Sequence, residues 1–444
     1  MISPQNVHET LKRHQLADGY PFVFDLERSH GSWLFDARTN SEFLDFFTCF
    51  ASWPIGYNHP RMSEPAFLAE LTLAARNNPA NSDLYTVSMA RFVEAFATRV
   101  TPAGYPHHFW VSGGALAVEN ALKVAFDWKA QKLGHTSLEE SCDDLVVLHF
   151  RDAFHGRSGY TLSLTNTDPT KTGLFPKFKW PRVHNPAIVF DVDGGIANDI
   201  VASEARACAE IEQAFVDYRD RIAAIVIEPM QSEGGDHHFR PEFLARLRRY
   251  ADENQALLVF DEVQTGFFGS GTNWLWQQIG VRPDIVAFAK KSQQGGIYAN
   301  TRVDEIENNC FQRVSRINST WGGNLVDMVR CQRYLEIIEE EKLVQNAATV
   351  GAHLLKGLQA LQAKHPGTLS NARGRGLMCA LDFPDGATRD AVAKKAYEEG
   401  MIILSCGHRS LRFRPPLDIT AAEVDEAVGI LDKAIAGVTA GAAR

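Results

Sequence analysis

The chain has 444 residues, 45% of them hydrophobic, and a formal net charge of −9. This length allows a large core and two domains, and the negative charge argues against nucleic acid as the main partner. No apolar run is long enough to cross a bilayer. The polar N-terminal stretch lacks the apolar centre of a secretory signal, and the seven cysteines are dispersed singly. We therefore expect a cytoplasmic protein without a membrane anchor, a disulfide framework or a metal site.

Five short apolar runs in the first two thirds predict strands that are covered on both faces. They lie at 108–111, 145–150, 223–228, 256–262 and 284–290. Their apolar residues are nearly continuous, which is typical of a parallel sheet between helices. Helical spacing predicts helices over 115–132 and 241–253. Because strands and helices alternate, we expect an α/β fold.

The last third predicts a smaller α/β unit. Its expected elements are helices over 350–365, 388–400 and 421–438 and strands over 376–383 and 401–406. Since chain termini often pack as neighbours, we expect the N-terminal segment to join this unit. The predicted division is 1–54 and 326–444 for the small domain and 55–325 for the large domain.

A glycine-rich or polar segment follows each of the five predicted strands. "SGGA" follows the first, "RDAFHGR" the second and "PMQSEGG" the third, while the last two run into "DEVQTG" and two lysines. In open α/β sheets, ligands bind beyond the carboxyl ends of the strands. The sequence therefore predicts one ligand site at that edge.

Lys290 and Lys291 end the fifth apolar run, and Asp261 ends the fourth. A lysine buried there has a lowered pKa and becomes a nucleophile for a carbonyl carbon. A buried Asp261 needs a cationic partner, for which a protonated pyridine nitrogen is suitable. The alternative is ordinary: two solvated lysines and a loop or helix-capping acid.

"DEVQTGF" (261–267), followed by "PDIVAFAK" (283–290), resembles the class III aminotransferases of pyridoxal 5'-phosphate (PLP) fold type I. The resemblance implies a large domain with a mostly parallel central sheet flanked by helices, and a smaller α/β domain built from both termini. It identifies Lys290 as the Schiff-base lysine and general acid–base, and Asp261 as the partner of the pyridine nitrogen. It also implies that Val263 packs on the PLP ring and that Gln264 contacts its phenolic oxygen and the substrate.

Four further segments match the same family in order: "SGGALAVENALK" (112–123), "FHGR" (154–157), "STWGGN" (319–324) and "LRFRPP" (411–416). The resemblance implies that Gly113, Gly114 and Ala115 bind the phosphate and that Phe154 stacks on the ring. Thr320 would reach the phosphate in the partner subunit of a homodimer. Most of the class has Ser or Thr followed by Glu where this chain has Gly114 and Ala115. The loss of that hydroxyl makes phosphate binding more dependent on backbone N–H groups.

Three stretches are similar to the lysine 6-aminotransferase branch of the class: 113–129, 167–183 and 227–239. The resemblance implies transfer of the ε-amino group of L-lysine to 2-oxoglutarate, giving 2-aminoadipate 6-semialdehyde, which cyclises, and L-glutamate. Arg157 would bind the remote carboxylate of lysine, and Arg412 would bind the carboxylate of 2-oxoglutarate that lies near PLP. Glu233 would pair with Arg412 when lysine is bound and swing away for 2-oxoglutarate. The alternative for Arg157, Glu233 and Arg412 is an ordinary set of surface ion pairs.

Several alternatives stay open at this point. Ornithine, 4-aminobutyrate or a diamine could replace lysine, because pocket length cannot be measured from sequence. An aminomutase or racemase could use the same scaffold without a second substrate, and a non-catalytic binding domain is a third possibility. The segment 47–60, with Trp53 and Tyr57, predicts either the substrate entrance or domain-interface packing.

Overall fold

The computed structural model describes residues 2–442, with side chains described as far as residue 440. Residues 1, 443 and 444, at the ends of the predicted domains, lie outside the described part. The strands in that part are β1 (Trp33–Asp36), β2 (Ser41–Asp45), β3 (His107–Val111), β4 (Val146–Phe150), β5 (Arg182–Val183), β6 (Ile222–Ile227), β7 (Met230–Gln231), β8 (His237–His238), β9 (Leu257–Asp261), β10 (Ile285–Phe288), β11 (Gly295–Ala299), β12 (Ser370–Arg375), β13 (Met378–Asp382), β14 (Met401–Ile402), β15 (Leu404–Cys406) and β16 (Ser410–Phe413).

The helices separate these strands and cover the sheets. They are α1 (Val7–Lys12), α2 (Thr48–Ala51), α3 (Pro65–Arg76), α4 (Val87–Arg99), α5 (Gly114–Lys132), α6 (Gly159–Leu164), α7 (Pro169–Thr172), α8 (Ile200–Asp217), α9 (Pro241–Glu253), α10 (Leu275–Ile279), α11 (Leu325–Glu340), α12 (Leu343–Lys364), α13 (Gly386–Glu398) and α14 (Ala421–Ala442). Short 3₁₀ helices span Pro4–Asn6, Pro60–Ser63, Lys290–Ser292 and Thr301–Glu305.

The central sheet has seven strands in the order β3-β11-β10-β9-β6-β4-β5. Strands β10, β9, β6, β4 and β5 pair in parallel, whereas β11 is antiparallel to both of its neighbours. Strand β3 therefore runs parallel to β10. The predicted mostly parallel sheet is confirmed, and the carboxyl ends of β3, β4, β6, β9 and β10 meet at one edge.

Both faces of this sheet are buried, which explains the continuous apolar runs. In β9, Leu257 and Val259 pack in the cluster that contains α5, whereas Leu258 and Phe260 belong to the cluster on the other face, with α9. All four side chains are fully buried. The large unit thus has helices on both sides of the sheet, as in other doubly wound α/β folds.

Strand β11 is an element that the apolar pattern did not predict. It begins with Gly295 and Gly296, which weaken any strand signal in the sequence. A Cβ on Gly295 would lie 2.8 Å from the carbonyl oxygen of Val111, and one on Gly296 would lie 2.4 Å from that of Phe109. The two glycines are needed because the backbone of β3 approaches so closely.

Two smaller sheets belong to the terminal segments. A three-stranded sheet has the order β1-β2-β14, and a four-stranded antiparallel sheet has the order β12-β13-β16-β15. The single strand predicted over 401–406 is split, because Met401 and Ile402 pair with β2 while Leu404–Cys406 pair with β16. Strand β14 thus joins the two ends of the chain. The exact domain boundaries stay a prediction.

Among the described residues, no helix has both the length and the apolar character needed to span a membrane. Within the same residues, no three His, Cys, Asp or Glu side chains cluster as metal ligands would. All seven cysteines are free thiols.

Candidate active site

A cavity of about 820 Å³ lies at the carboxyl edge of the central sheet. Its walls contain eleven of the twelve site residues predicted from the sequence: Gly113, Gly114, Ala115, Phe154, Arg157, Glu233, Asp261, Val263, Gln264, Lys290 and Arg412. Thr320 is the exception. Residues from five strand ends and from the C-terminal strand β16 therefore share one cavity.

Lys290 and Asp261 lie on adjacent parallel strands of that edge. Asp261 is the last residue of β9 and pairs with Ala287 of β10, three residues before Lys290. Lys290 has a left-handed backbone (φ 59°), which turns the chain away from the sheet where the lysine begins a 3₁₀ turn. Burial, followed by the positive charge of Arg412, lowers the pKa of the Lys290 amine from 10.5 to about 8, although Asp261 and Glu228 oppose this shift.

The carboxylate of Asp261 is 4% exposed and accepts two hydrogen bonds. One comes from Nδ1 of His155 at 2.7 Å and the other from the backbone N–H of Val263 at 3.0 Å. Burial alone lowers the pKa of His155, but the hydrogen bond and charge of Asp261 outweigh it, so that the pKa is raised. His155 therefore keeps a proton on Nδ1 and fixes the orientation of Asp261.

Glu228 follows β6 directly and is also buried. Its two carboxylate oxygens accept the backbone N–H groups of Phe154 and Ser232, each at 3.0 Å. Burial raises the pKa of Glu228 to about 7, and the charge of Asp261 adds to this effect. Glu228 thus holds together the segments that follow β4 and β6.

The glycine-rich turn at the start of α5 approaches its neighbours closely. Gly113 has φ 91°, and a Cβ on Gly114 would lie 2.7 Å from Cγ1 of Val263. A Cβ on Gly156 would in turn lie 2.6 Å from the Cβ of Ala115. The Ser or Thr that most of the class carries at 114 would therefore need a rearranged turn here. This close packing gives a physical reason for the departure noted in the sequence.

Gln264, Phe154 and Arg157 occupy different parts of the cavity wall. The Gln264 amide donates to the carbonyl oxygen of Phe50 at 3.4 Å, while its own oxygen Oε1 is buried without a partner in the described structure. The ring of Phe154 lies 5.8 Å from Nζ of Lys171. Arg157 is exposed, which leaves its guanidinium accessible to a substrate carboxylate.

Arg412 and Glu233 share the cavity but do not pair in this structure. Arg412 is 3% exposed, and its Nε and Nη1 have no hydrogen-bond partner among the described residues. Glu233 instead forms an ion pair with Lys171 through Oε1, and its Oε2 is buried without a partner in the described part of the chain. In this structure Glu233 is therefore paired with Lys171, and the guanidinium of Arg412 is available to a ligand.

Lys291 is buried, whereas the alternative interpretation of the sequence had two solvated lysines. It is 3% exposed and its Nζ donates to the carbonyl oxygen of Gln264 at 3.2 Å. Burial, then the charges of Arg414 and Lys290, lower the pKa of Lys291 to about 7. Lys291 does not line the cavity, so that only one of the two lysines faces it.

The segment 47–60 contributes Cys49, Phe50 and Ser52 to the cavity wall, whereas Trp53 and Tyr57 stack on each other with ring centroids 5.0 Å apart. Four consecutive non-glycine residues, Thr48–Ala51, have positive φ between 40° and 63°. Left-handed backbone costs about 1–2 kcal/mol for each such residue. Strain of this kind concentrates at functional sites.

The comparisons with known proteins agree with this geometry. The family model for aminotransferase class III matches residues 16–435. The chain is a class III aminotransferase. The L-lysine-epsilon aminotransferase of Streptomyces clavuligerus is 50% identical over 440 residues, covering 98% of this chain and 95% of the relative. A probable mitochondrial 4-aminobutyrate aminotransferase of Caenorhabditis elegans is 34% identical over 436 residues, covering 94% and 88%.

A solved structure of the lysine aminotransferase from M. tuberculosis superposes on this class III aminotransferase with a TM-score of 0.93. Its sequence is 49% identical, and the match covers 98% of this chain and all of the other. The fold is thus that of PLP-dependent aminotransferases, and PLP is the cofactor of the family. The resemblance seen in the sequence is confirmed.

The donors of the cavity fit PLP. A buried carboxylate, a lysine with a lowered pKa and a glycine-rich turn at the start of a 19-residue helix match a pyridinium nitrogen, an aldehyde and a phosphate. Buried polar atoms without partners in the described structure, such as Nε2 of His155 and Oε1 of Gln264, also belong to cavity-lining residues.

The residues of this aminotransferase that line the cavity without a role from sequence reasoning include His155, Lys171, Glu228 and Gln293. Two of them carried a signal, because His155 lies inside "FHGR" and Glu228 ends an apolar run. Gln293 donates to the carbonyl oxygens of Ser52 (2.6 Å) and Lys290 (3.1 Å), a contact that depends on the tertiary fold.

Proposed function

We propose that this aminotransferase moves the ε-amino group of L-lysine to 2-oxoglutarate, giving 2-aminoadipate 6-semialdehyde and L-glutamate. The observation that carries the proposal is the charge arrangement of the cavity. It contains two separate arginines, Arg157 and Arg412, and an acid, Glu233, that is paired with Lys171. Such a cavity suits one substrate with a single remote carboxylate and another with a carboxylate at each end. The name of the Streptomyces clavuligerus relative supports the same donor.

In this proposal, Asp261 holds the PLP ring nitrogen, the turn Gly113–Ala115 holds the phosphate, Phe154 and Val263 cover the ring faces, and Gln264 contacts the phenolic oxygen. The bound cofactor supplies an aldehyde that exchanges amino groups and a ring that withdraws electrons from the reacting carbon. The hydrogen bond from His155 to Asp261 keeps that carboxylate oriented.

Lys290 performs the proton transfers. Its lowered pKa leaves a useful fraction of neutral amine near neutral pH. The Nζ atom takes a proton from the ε-carbon of lysine in the first half-reaction and returns one to the α-carbon of the oxo acid in the second. The positive charge of Arg412 favours the neutral form of Lys290, so that the residue that binds the acceptor also tunes the base.

The two substrates are distinguished by their carboxylates. L-Lysine enters amine first, and Arg157 binds its remote α-carboxylate. 2-Oxoglutarate places its α-carboxylate near PLP, where the Nε and Nη1 groups of Arg412 bind it bidentately. Glu233 neutralises the positive charge of Arg412 while lysine is bound, because the lysine side chain has no carboxylate to pair with that arginine.

We also propose that the enzyme is a homodimer in which Thr320 reaches the phosphate bound by the partner subunit. Thr320 is exposed and does not line the cavity of its own chain. The side chains of Asn81 and Ser82 donate to the carbonyl oxygens of Trp321 and Thr320. Leu84, Tyr85 and Trp321 nearby are exposed apolar side chains. Exposed apolar groups of this size are typical of an interface.

The test is a substrate panel with the purified protein and 2-oxoglutarate, in which L-glutamate and the cyclised imine are both measured. We expect the largest kcat/KM with L-lysine. Faster turnover of L-ornithine or 4-aminobutyrate would overturn the proposed donor, and amino shift without added 2-oxoglutarate would indicate an isomerase. Light scattering measures the molar mass of the assembly in solution. T320A should lower the affinity for PLP without changing that molar mass.

A further inference from the structure

Lys171 occupies an unusual position for a surface lysine. It belongs to the short helix α7, whose start is fixed by the carboxylate of Asp168, which accepts the N–H of Thr170 at 2.8 Å. From there its side chain reaches the cavity wall, donates to Oε1 of Glu233 and lies near the ring of Phe154. Its side chain is 33% exposed and that of Glu233 is 19% exposed, so that solvent screens the pair only in part.

The backbone of Glu233 is fixed on both sides. Its carbonyl oxygen accepts the N–H of Gly407 at 2.9 Å. A Cβ on Gly234 would lie 1.9 Å from the carbonyl oxygen of Asp152, and one on Gly407 would lie 2.5 Å from that of Gly234. Because the turn is packed this tightly, a change of partner by Glu233 requires rotation of its side chain alone.

The groups needed for such a change are present in the same cavity. Glu233 has one oxygen, Oε2, that is buried without a partner, and Arg412 has two buried nitrogens in the same condition among the described residues. A carboxylate oxygen and a guanidinium that both lack partners and line one cavity attract each other electrostatically. Glu233 nevertheless pairs with Lys171, which therefore competes with Arg412 for it.

We infer that Lys171 is a positioning residue that sets how often Arg412 is free to bind a substrate carboxylate. This inference rests on the proposed function in assigning Arg412 to the acceptor's carboxylate and in allowing Glu233 to pair with Arg412. When Glu233 is held by Lys171, Arg412 is open to a dicarboxylate. Without Lys171, Glu233 shifts to Arg412 and the apparent affinity for a dicarboxylate falls in proportion to the open fraction.

The test uses Lys171→Met and Lys171→Arg with Lys179→Met as the matched control, since Lys179 is an exposed lysine of the same segment that does not line the cavity. Calorimetry measures binding of glutarate, an unreactive dicarboxylate, to the PLP-loaded enzyme. Enzyme loaded with pyridoxamine 5'-phosphate is then mixed with 2-oxoglutarate in single-turnover experiments. The observed rate constant, followed against 2-oxoglutarate concentration, gives the half-saturation concentration (here KM) and the limiting rate constant (here kcat) of this half-reaction. Neither measurement uses L-lysine, so a failure of the proposed donor leaves the test intact.

We expect Lys171→Met to weaken glutarate binding and raise the KM for 2-oxoglutarate about tenfold, with little change in kcat. Lys171→Arg should restore most of the loss, and Lys179→Met should behave as wild type. In a Glu233→Gln background the same Lys171→Met change should have no effect, because no acid competes for Arg412. An equal loss in that background would show that Lys171 contacts the ligand directly, and unchanged binding in Lys171→Met would show that it has no role. Either result overturns the inference.

Discussion

The protonation of Lys290 in the PLP-free protein is the prediction most directly tied to the geometry. With a pKa of about 8, about 9% of the amine is neutral at pH 7, whereas an ordinary lysine near 10.5 has about 0.03%. Reaction with an acylating reagent requires the neutral amine. Lys290 should therefore react up to about 300-fold faster at pH 7 than a lysine with the same access and an ordinary pKa.

The assay is competitive acetylation of apoenzyme between pH 6 and 11, followed by mass spectrometry of the peptide that contains Lys290. Fragment ions separate Lys290 from the adjacent Lys291. Arg412→Gln should move the midpoint to higher pH, because the arginine is a cause of the lowering, whereas Asp261→Asn should move it to lower pH, because the aspartate opposes it. A wild-type midpoint near 10.5, or the same shift in both variants, would refute this account of the site.

Three further predictions concern the supports of the cavity. Lys291→Met should raise the melting temperature of apoenzyme at pH 7. The pKa of Lys291 falls to about 7 in the folded protein, so burying the charged amine lowers the free energy of unfolding. Scanning calorimetry should show the full gain below pH 7 and its loss as pH rises from about 7 to about 10.5. Gly114→Ala should weaken PLP binding at least about tenfold in absorbance titrations, because the new Cβ meets Val263 at 2.7 Å; wild-type affinity would contradict the close approach. Asp236 and Arg414 form an ion pair at 2.6 Å in which both side chains are 1% exposed. Asp236→Ala should lower the free energy of unfolding by about 3–5 kcal/mol in urea titrations, because it leaves the buried Arg414 charge without its partner. A loss below about 1 kcal/mol would contradict that view.

The sequence predicted the parts of the molecule whose physics is local. The strands that carry the site are buried on both faces, so their apolar runs are continuous, and the residues that follow them must meet at one edge. This reasoning placed Asp261 and Lys290 at the same edge of the predicted sheet. Family resemblance then supplied the roles of residues such as Arg412, whose position on a distant strand no local pattern reveals.

The features that were missed depend on tertiary contacts. Strand β11 is hidden by its two glycines, which exist because another backbone lies against them. The strand predicted over 401–406 splits because its halves pair with different sheets. Lys171 lies 62 residues from Glu233 in the chain, and nothing in "TDPTKTG" indicates that its lysine faces a cavity.

The tightly packed turn around Glu233 and Gly234 also bears on speed and on adaptation. Side-chain rotations are complete within about nanoseconds, whereas a typical enzymatic turnover takes about 0.1 s. Under the proposed function, alternation between two unlike reactants would therefore impose no delay on the cycle, whereas closure of a mobile lid would. Because only side chains would move, single amino-acid replacements could change the preference between amino acceptors while the main chain stays the same.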